Sequence, residues 1–358
     1  MKRLVRAVTT ALLAAAAIGV LHAQAATLAI YFIDVEGGQS TLIVTPAGET
    51  VLIDAGFPGD GTFSSKAGDP SKARDAQRIL AAARDAGVKR IDYFLLTHFH
   101  ADHGGGVAEL SQLMPIKAFI DHGEPGPGAA AAVTGTEETY DKYLIARATG
   151  THIEPKPGDV LRLKSVELAV LASAGNVLPK ALPGAGRRNA ACSGTGLGID
   201  ASEKTENPRS TAVRLQYGAF RFLDLGDLTG APLFALSCPV DMIGHADVYL
   251  VAHHGGADAA DPSLFKAVNP RVAIFNNGPT KGAQKETLAT VAALPSIDAW
   301  QLHRTLNKDA VNAPDARIAN LDDTTSAWIR ISATKDGSFA VTNGRTGITK
   351  SYPRRGSK

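Results

Sequence analysis

Thr97-His98-Phe99-His100-Ala101-Asp102-His103 is the stretch on which the reading of this chain turns. It closes the apolar run Ile91 to Thr97 (IDYFLLT) and leads into Gly104-Gly105-Gly106, so the histidines are predicted at the end of a buried strand, on a turn that glycine keeps tight. Imidazole and carboxylate are good donors for zinc and similar ions, and four such side chains within six residues exceed what one ion needs. A tight turn can aim His98 and His100 at one point and Asp102 and His103 at a second. Two cations are therefore expected, and histidines that are merely hydrogen-bonded in a core would not be expected at these offsets around an Asp.

Remaining ligands must come from elsewhere in the fold, and two later strand ends supply them. Phe222-Leu223-Asp224-Leu225-Gly226-Asp227 closes one apolar run with a carboxylate, Asp227, placed where it can bridge two cations. Val248-Tyr249-Leu250-Val251-Ala252-His253-His254-Gly255-Gly256 closes the next with paired histidines.

Working outward, short β-branched runs recur at both ends of the chain: Thr27 to Asp34, Ser40 to Thr45, Thr50 to Asp54 and Ala118 to Asp121, then Val166 to Ala172, Thr211 to Tyr217, Ala219 to Leu225, Val248 to Ala252 and Val272 to Asn276. Ala327 to Ala333 and Ser338 to Asn343 read as a closing hairpin. Helices are expected over Lys72 to Ala86, stopped by Gly87, and near Pro262 to Val268 and Gln284 to Leu294. With no repeat and no linker, this order suits an α+β architecture of two apolar sheets with helices outside. Gly123 to Thr136 and Ser173 to Pro208 fit no element and are read as rims of a substrate site or as solvated insertions.

Residues 1–25 (MKRLVRAVTTALLAAAAIGVLHAQA) combine three basic residues, an apolar run too short for a bilayer span and a small-x-small end, the pattern of a cleavable signal peptide. A periplasmic or secreted location is expected, with residues 26–350 forming one domain. Without those basic residues the formal charge falls from +2 to −1, which disfavours a protein coated in positive potential. No later stretch is apolar enough to span a membrane. Cys192 and Cys238 stand outside any metal-binding pattern and are either one disulfide or two free thiols.

The set His98/His100/Asp102/His103, Asp227 and His253 resembles the metallo-β-lactamase superfamily, and the flanking text resembles the hydrolase domain of ComEC-type competence proteins. The matching order is Phe32-Ile33-Asp34-Val35-Glu36-Gly37-Gly38-Gln39-Ser40, Val51-Leu52-Ile53-Asp54-Ala55-Gly56, the His98 turn, Asn207-Pro208-Arg209-Ser210, Gly226-Asp227 and His253-His254-Gly255-Gly256. The resemblance covers about residues 28 to 280. It implies a four-layer αββα sandwich in which His98 and His100 hold one metal, Asp102, His103 and His253 the other, and Asp227 bridges. Asp54 would orient the ligand loop, Asp102 and His254 would act in catalysis, and Asn207 and Ser210 would stand behind the first metal. Many members supply a third His to that metal where this chain reads Asn207-Pro208-Arg209-Ser210; a water, Asn207, His122 or His152 are the substitutes to consider.

The function implied is hydrolysis with two divalent ions, Zn2+ or Mn2+, that acidify a shared water. A phosphodiester or nucleic-acid substrate follows from the ComEC-like text; the alternatives are a β-lactam, lactone or other ester or amide, and a binding module that keeps the fold without catalysis. Arg187, Arg188, Lys281 and the His303-Arg304 pair are candidate anion contacts or ordinary solvated side chains. Oligomeric state is not encoded in any of these motifs.

Overall fold

The computed structural model describes residues 27–61, 69–192 and 203–356. The expected signal segment, residues 1–25, lies outside them, as does part of the second unassigned stretch. Among the described residues the chain forms two β-sheets of nine strands each.

The first sheet runs in the order Thr349–Tyr352, Phe339–Asn343, Ile329–Ala333, Leu28–Phe32, Thr41–Val44, Thr50–Ile53, Ile91–Leu95, Ile116–Ile120, Thr151–Ile153. It is antiparallel as far as Thr50–Ile53 and parallel beyond. The second runs Val160–Leu163, Val166–Ser173, Ala212–Tyr217, Phe220–Asp224, Val248–Leu250, Val272–Phe275, Asp298–His303, Ile318–Asn320, with Asn176–Val177 paired to Val166–Ser173. It too switches from antiparallel to parallel, after Phe220–Asp224. The strands at the two switches, Thr50–Ile53 beside Ile91–Leu95 and Phe220–Asp224 beside Val248–Leu250, are the ones that end in Asp54, the His98 turn, Asp227 and the His253-His254 pair.

Period-two burial builds the layers. Leu28, Ile30 and Phe32 face the other sheet and pack with Leu215, Phe222, Val248 and Ile274, whereas Tyr31 and Ile33 face outward onto Ile79 and Ala83 of the helix Arg74–Asp85. Phe32 and Phe222 meet edge to face across the sheets at 5.6 Å. On the far side, Leu223, Tyr249, Ala273 and Phe275 pack against Leu264, Phe265, Leu288 and Val291 of the helices Pro262–Val268 and Lys285–Ala292. The result is the αββα sandwich that the alternation called for. Emptying a site such as Phe222, fully buried between the sheets, is expected to cost about 3–5 kcal/mol.

The helix Arg74–Asp85 ends where Gly87, at φ 69°, lets the chain reverse while the Val88 amide donates to Ala83 O at 2.7 Å. Residues beyond 281, where the sequence resemblance fades, extend both sheets. Gly123 to Thr136 carries the short helix Ala129–Ala132 and is followed by a helix, Thr136–Arg147, that the sequence pattern does not predict. Cys192 and Cys238 are joined in a disulfide. No helix among the described residues is long and apolar enough to cross a membrane.

Candidate metal centre

The turn after Ile91–Leu95 is held from both sides. Asp54 sits at φ 60° with its carboxylate fully buried, accepting from Thr97 N at 2.8 Å and from Thr97 Oγ1 at 2.8 Å. The next amide, Ala55 N, donates to His103 O at 2.6 Å, and Gly106 N donates to Gly56 O at 3.0 Å. Gly106 permits this seam, because a Cβ there would lie 2.3 Å from Ala55 O. On the opposite sheet Gly226 adopts φ 54°, and a Cβ on it would lie 2.8 Å from Thr97 Cβ. This close approach brings Asp227 to the His98 turn. His100 begins the helical turn Ala101–Gly104, which carries Asp102 and His103 inward.

Two groups of donors result. His98, His100 and Asp227 form one; Asp102, His103, Asp227 and His254 form the other, with the potential ligand atoms of each group all within 4.8 Å of one another. His98 Nε2 lies 2.9 Å from His100 Nδ1 and 4.0 Å from Asp227 Oδ2. In the second group His103 Nε2 is 3.1 Å from Asp227 Oδ2, 3.4 Å from Asp102 Oδ2 and 3.2 Å from His254 Nε2. His254 Nε2 lies 3.2 Å from each carboxylate. Ring nitrogens this close repel through their lone pairs unless a proton or a cation lies between them. Among the described residues, Asp227 Oδ1 and His100 Nε2 are buried without a hydrogen-bond partner. A set of imidazoles and carboxylates so arranged fits a pair of divalent ions.

Charge supports the same use. Burial pushes His98 well below the usual imidazole range and His100 down to about 4, so both rings are neutral and keep a lone pair. Burial alone would raise Asp102 and Asp227. The Lys281 ammonium beside Asp102 and the His103 ring beside both hold their carboxyls well below the ordinary range. His103 is disfavoured as a cation by burial but raised well above its ordinary value by Asp227, Asp102 and Asp54. Its Nδ1 lies 2.7 Å from Asp54 Oδ2 and keeps its proton there, so it is Nε2 that would give up its proton to a cation among the donors. Asp224 is pushed up to about 7 by burial, against hydrogen bonds from Gly226 N and Gln39 Nε2.

The adjacent histidines of the second sheet divide differently from the sequence expectation. His254 enters the second donor group. His253 stays outside both: its Nε2 is 3.8 Å from Asp227 Oδ2 and its Nδ1 is 2.7 Å from Asp258 Oδ2, with the side chain 29% exposed. Both residues have positive φ, 49° and 55°, and that local twist decides which ring turns inward. Asn207 and Ser210 are buried on a segment tied to the turn by Thr211 N donating to Thr97 O at 2.8 Å, and among the described residues Asn207 Oδ1 and Ser210 Oγ have no hydrogen-bond partner. His122 packs on Phe99 with its Nε2 2.9 Å from Glu206 Oε2, and His152 rests on Asp121. Arg187 and Arg188 are exposed on a loop that pairs with 240–241. His303 is buried on Asp34 at 2.7 Å, and Arg304 reaches Asp315.

Sequence reasoning missed three supports. Asp258, which holds His253, follows it by five residues on the short 3-10 turn Ala257–Ala259. Gln39 and Asn276 form a buried relay in which Asn276 Nδ2 donates to Gln39 Oε1 at 3.1 Å and Gln39 Nε2 donates to Asp224 at 3.1 Å. Both are polar residues at strand ends, and their burial is the signal that a sequence lacks.

Over residues 33–275 the sequence matches the family model of the metallo-beta-lactamase superfamily. The chain belongs to this superfamily. It carries the metallo-hydrolase fold of the superfamily, whose members generally bind divalent metals, often two. No curated protein shows significant sequence similarity to it. Solved structures of similar fold include a metallo-β-lactamase from Cronobacter sakazakii with a mutated HARLDQ motif (17% identity, 55% of this chain and 60% of that one, TM-score 0.32). Others are the metallo-β-lactamase fold protein YhfI from Bacillus subtilis (12% identity, 70% and 86%, TM-score 0.41) and Igni18, a metallo hydrolase from Ignicoccus hospitalis (15% identity, 78% and 95%, TM-score 0.41). The match spans about three fifths of the length of the C. sakazakii protein.

Proposed function

We propose that this superfamily member is an exported hydrolase of phosphodiesters that works with two divalent ions, zinc in the first instance. The observation that carries the reading is the sharing of Asp227 by two donor groups. His98, His100 and Asp227 would hold the first ion, and Asp102, His103, His254 and Asp227 the second. Bound there, the pair would supply Lewis acidity and a water acidified toward neutral pH.

The chain's own residues prepare that chemistry. Asp54 fixes the His103 tautomer through Nδ1 and so aims the Nε2 lone pair at the centre. His253, backed by Asp258 and partly open to solvent, is placed to hold a proton at the mouth and deliver it to a leaving oxygen. The ComEC-like order of motifs supports a phosphodiester. The N-terminal pattern of residues 1–25 supports export, as does the Cys192–Cys238 disulfide, since such bonds persist in oxidising compartments.

The test is metal content by plasma mass spectrometry with a substrate panel. The reading expects two equivalents of metal, faster turnover of bis-p-nitrophenyl phosphate than of nitrocefin, and loss of both metal and turnover in Asp227→Ala. Less than one equivalent bound, or nitrocefin as the better substrate, would overturn it.

A further inference from the structure

Lys281 shares an oxygen with the second donor group. Its ammonium contacts Asp102 Oδ2, the atom that also lies 3.4 Å from His103 Nε2 and 3.2 Å from His254 Nε2. The Asp102 side chain is 3% exposed and that of Lys281 33%, so the lysine reaches from solvent into the buried cluster. The ammonium also lies 5.8 Å from the centre of the Phe57 ring, a second attraction at the rim.

The backbone that presents this lysine is fixed. Gly278 N donates to Lys281 O at 3.0 Å, Ala283 N to His254 O at 2.8 Å, Gln284 N to Gly255 O at 2.9 Å and Leu306 N to Pro279 O at 2.7 Å. Gly278 lies so close to the 36–37 loop that a Cβ on it would be 2.5 Å from Glu36 O. These contacts hold the loop against the site, while the four-carbon stem of the lysine can change rotamer. A divalent ion among Asp102, His103 and His254 and the ammonium of Lys281 compete for one carboxylate oxygen. Repulsion between the cations would turn the ammonium outward, and its tether keeps it at the mouth.

We infer that Lys281 is the anion contact of this site, a tethered cation that yields Asp102 to the metal and then binds a non-bridging oxygen of a phosphodiester. The inference rests on the phosphodiester reading above and names the residue that makes the site prefer it. Two divalent ions outweigh the charges of Asp102 and Asp227, and Lys281 adds to that excess. An anionic substrate gains a charge-assisted hydrogen bond that a neutral ester does not.

The test compares Lys281→Met, which keeps the stem, with Lys281→Arg in the whole protein, each checked for two bound zinc ions. Zinc affinity, read by competition with a colorimetric chelator, is expected to tighten about threefold or more in Lys281→Met, because a competing cation is gone. The KM for bis-p-nitrophenyl phosphate is expected to rise about 10–100-fold with little change in kcat, the scale of one charged hydrogen bond, and Lys281→Arg should restore most of it. The KM for p-nitrophenyl acetate should not move. Binding of diethyl phosphate to the zinc-loaded protein, measured by calorimetry, should weaken to the same extent as the diester KM. A diester KM and diethyl phosphate affinity unchanged in Lys281→Met, or equal losses on both esters, would overturn the inference while leaving the hydrolase reading intact. Absence of diester turnover in the unsubstituted protein, with the diethyl phosphate difference preserved, would sink the substrate reading and leave the role of Lys281 standing.

Discussion

Replacing Asp54 by Asn separates the positioning of a ligand from the ligand itself. The buried carboxylate accepts three hydrogen bonds, from Thr97 N, Thr97 Oγ1 and His103 Nδ1. Asn has the same shape and tolerates the φ of 60° at this position, whereas Ala would add a backbone penalty of roughly 1 kcal/mol and confuse the result. The amide keeps one oxygen, which can still accept from Thr97 N, and the Thr97 hydroxyl can rotate to accept from the new NH2. His103 has no such escape. With a donor facing Nδ1, the ring moves its proton to Nε2, the nitrogen that lies 3.1 Å from Asp227 and 3.2 Å from His254. The lone pair is then lost to the metal. Loss of such a carboxylate partner typically costs 10–100-fold in metal affinity, about 1.4–2.7 kcal/mol. Zinc titration against a chelator of known affinity should show one of the two equivalents weakened by that factor and the other unchanged, with far-UV circular dichroism like that of the unsubstituted protein. Two equivalents of unaltered affinity would refute the argument that Asp54 sets the tautomer.

The paired histidines give a second comparison. His254→Ala should lose one metal equivalent, with roughly 100-fold or greater weakening if about 10–16 kcal/mol of zinc binding is spread over four ligands, whereas His253→Ala should retain both ions and lose turnover; metal analysis of the two variants decides it. Asp224 predicts a pH dependence for the metal-stripped protein. Its folded pKa of about 7 lies above the unfolded value of ~3.9, so between those values the folded state binds the extra proton. The contribution of Asp224 to stability should therefore be largest below about pH 4, fall as pH rises toward about 7 and level off above it, by on the order of 4 kcal/mol at most. The difference in unfolding free energy between the unsubstituted protein and Asp224→Asn, from urea titrations in chelator, should follow this course, because His98, His100, Asp102 and Asp227 titrate in both.

Much of the fold is written in period-two burial. Thr27 to Asp34 and Val272 to Asn276 read as strands because their apolar residues face a sheet on one side and helices on the other. The helix Thr136–Arg147 escapes such reading because Ile145 is 74% exposed while Thr136 and Thr139 are buried, so its apolar and polar positions do not segregate by face. The same divide runs through the site. His98, His100, Asp102, His103 and Asp227 are visible as a constellation because four fall in the short segment after one strand and the fifth just after another. Whether His253 or His254 turns inward depends on two left-handed backbone conformations and a carboxylate at Asp258, and none of these follows from the order of residues.

The position of Leu28–Phe32 has a consequence for how the protein is made. That strand is bordered on one side by Thr41–Val44 and on the other by Ile329–Ala333, with Phe32 opposite Ile329. A ribosome must therefore reach Ile329 before this side of the sheet can assemble, and such distant pairing makes for slow maturation. A chain cut short before residue 329 would leave Leu28, Ile30 and Phe32 along an open ladder edge, inviting self-association in place of closure.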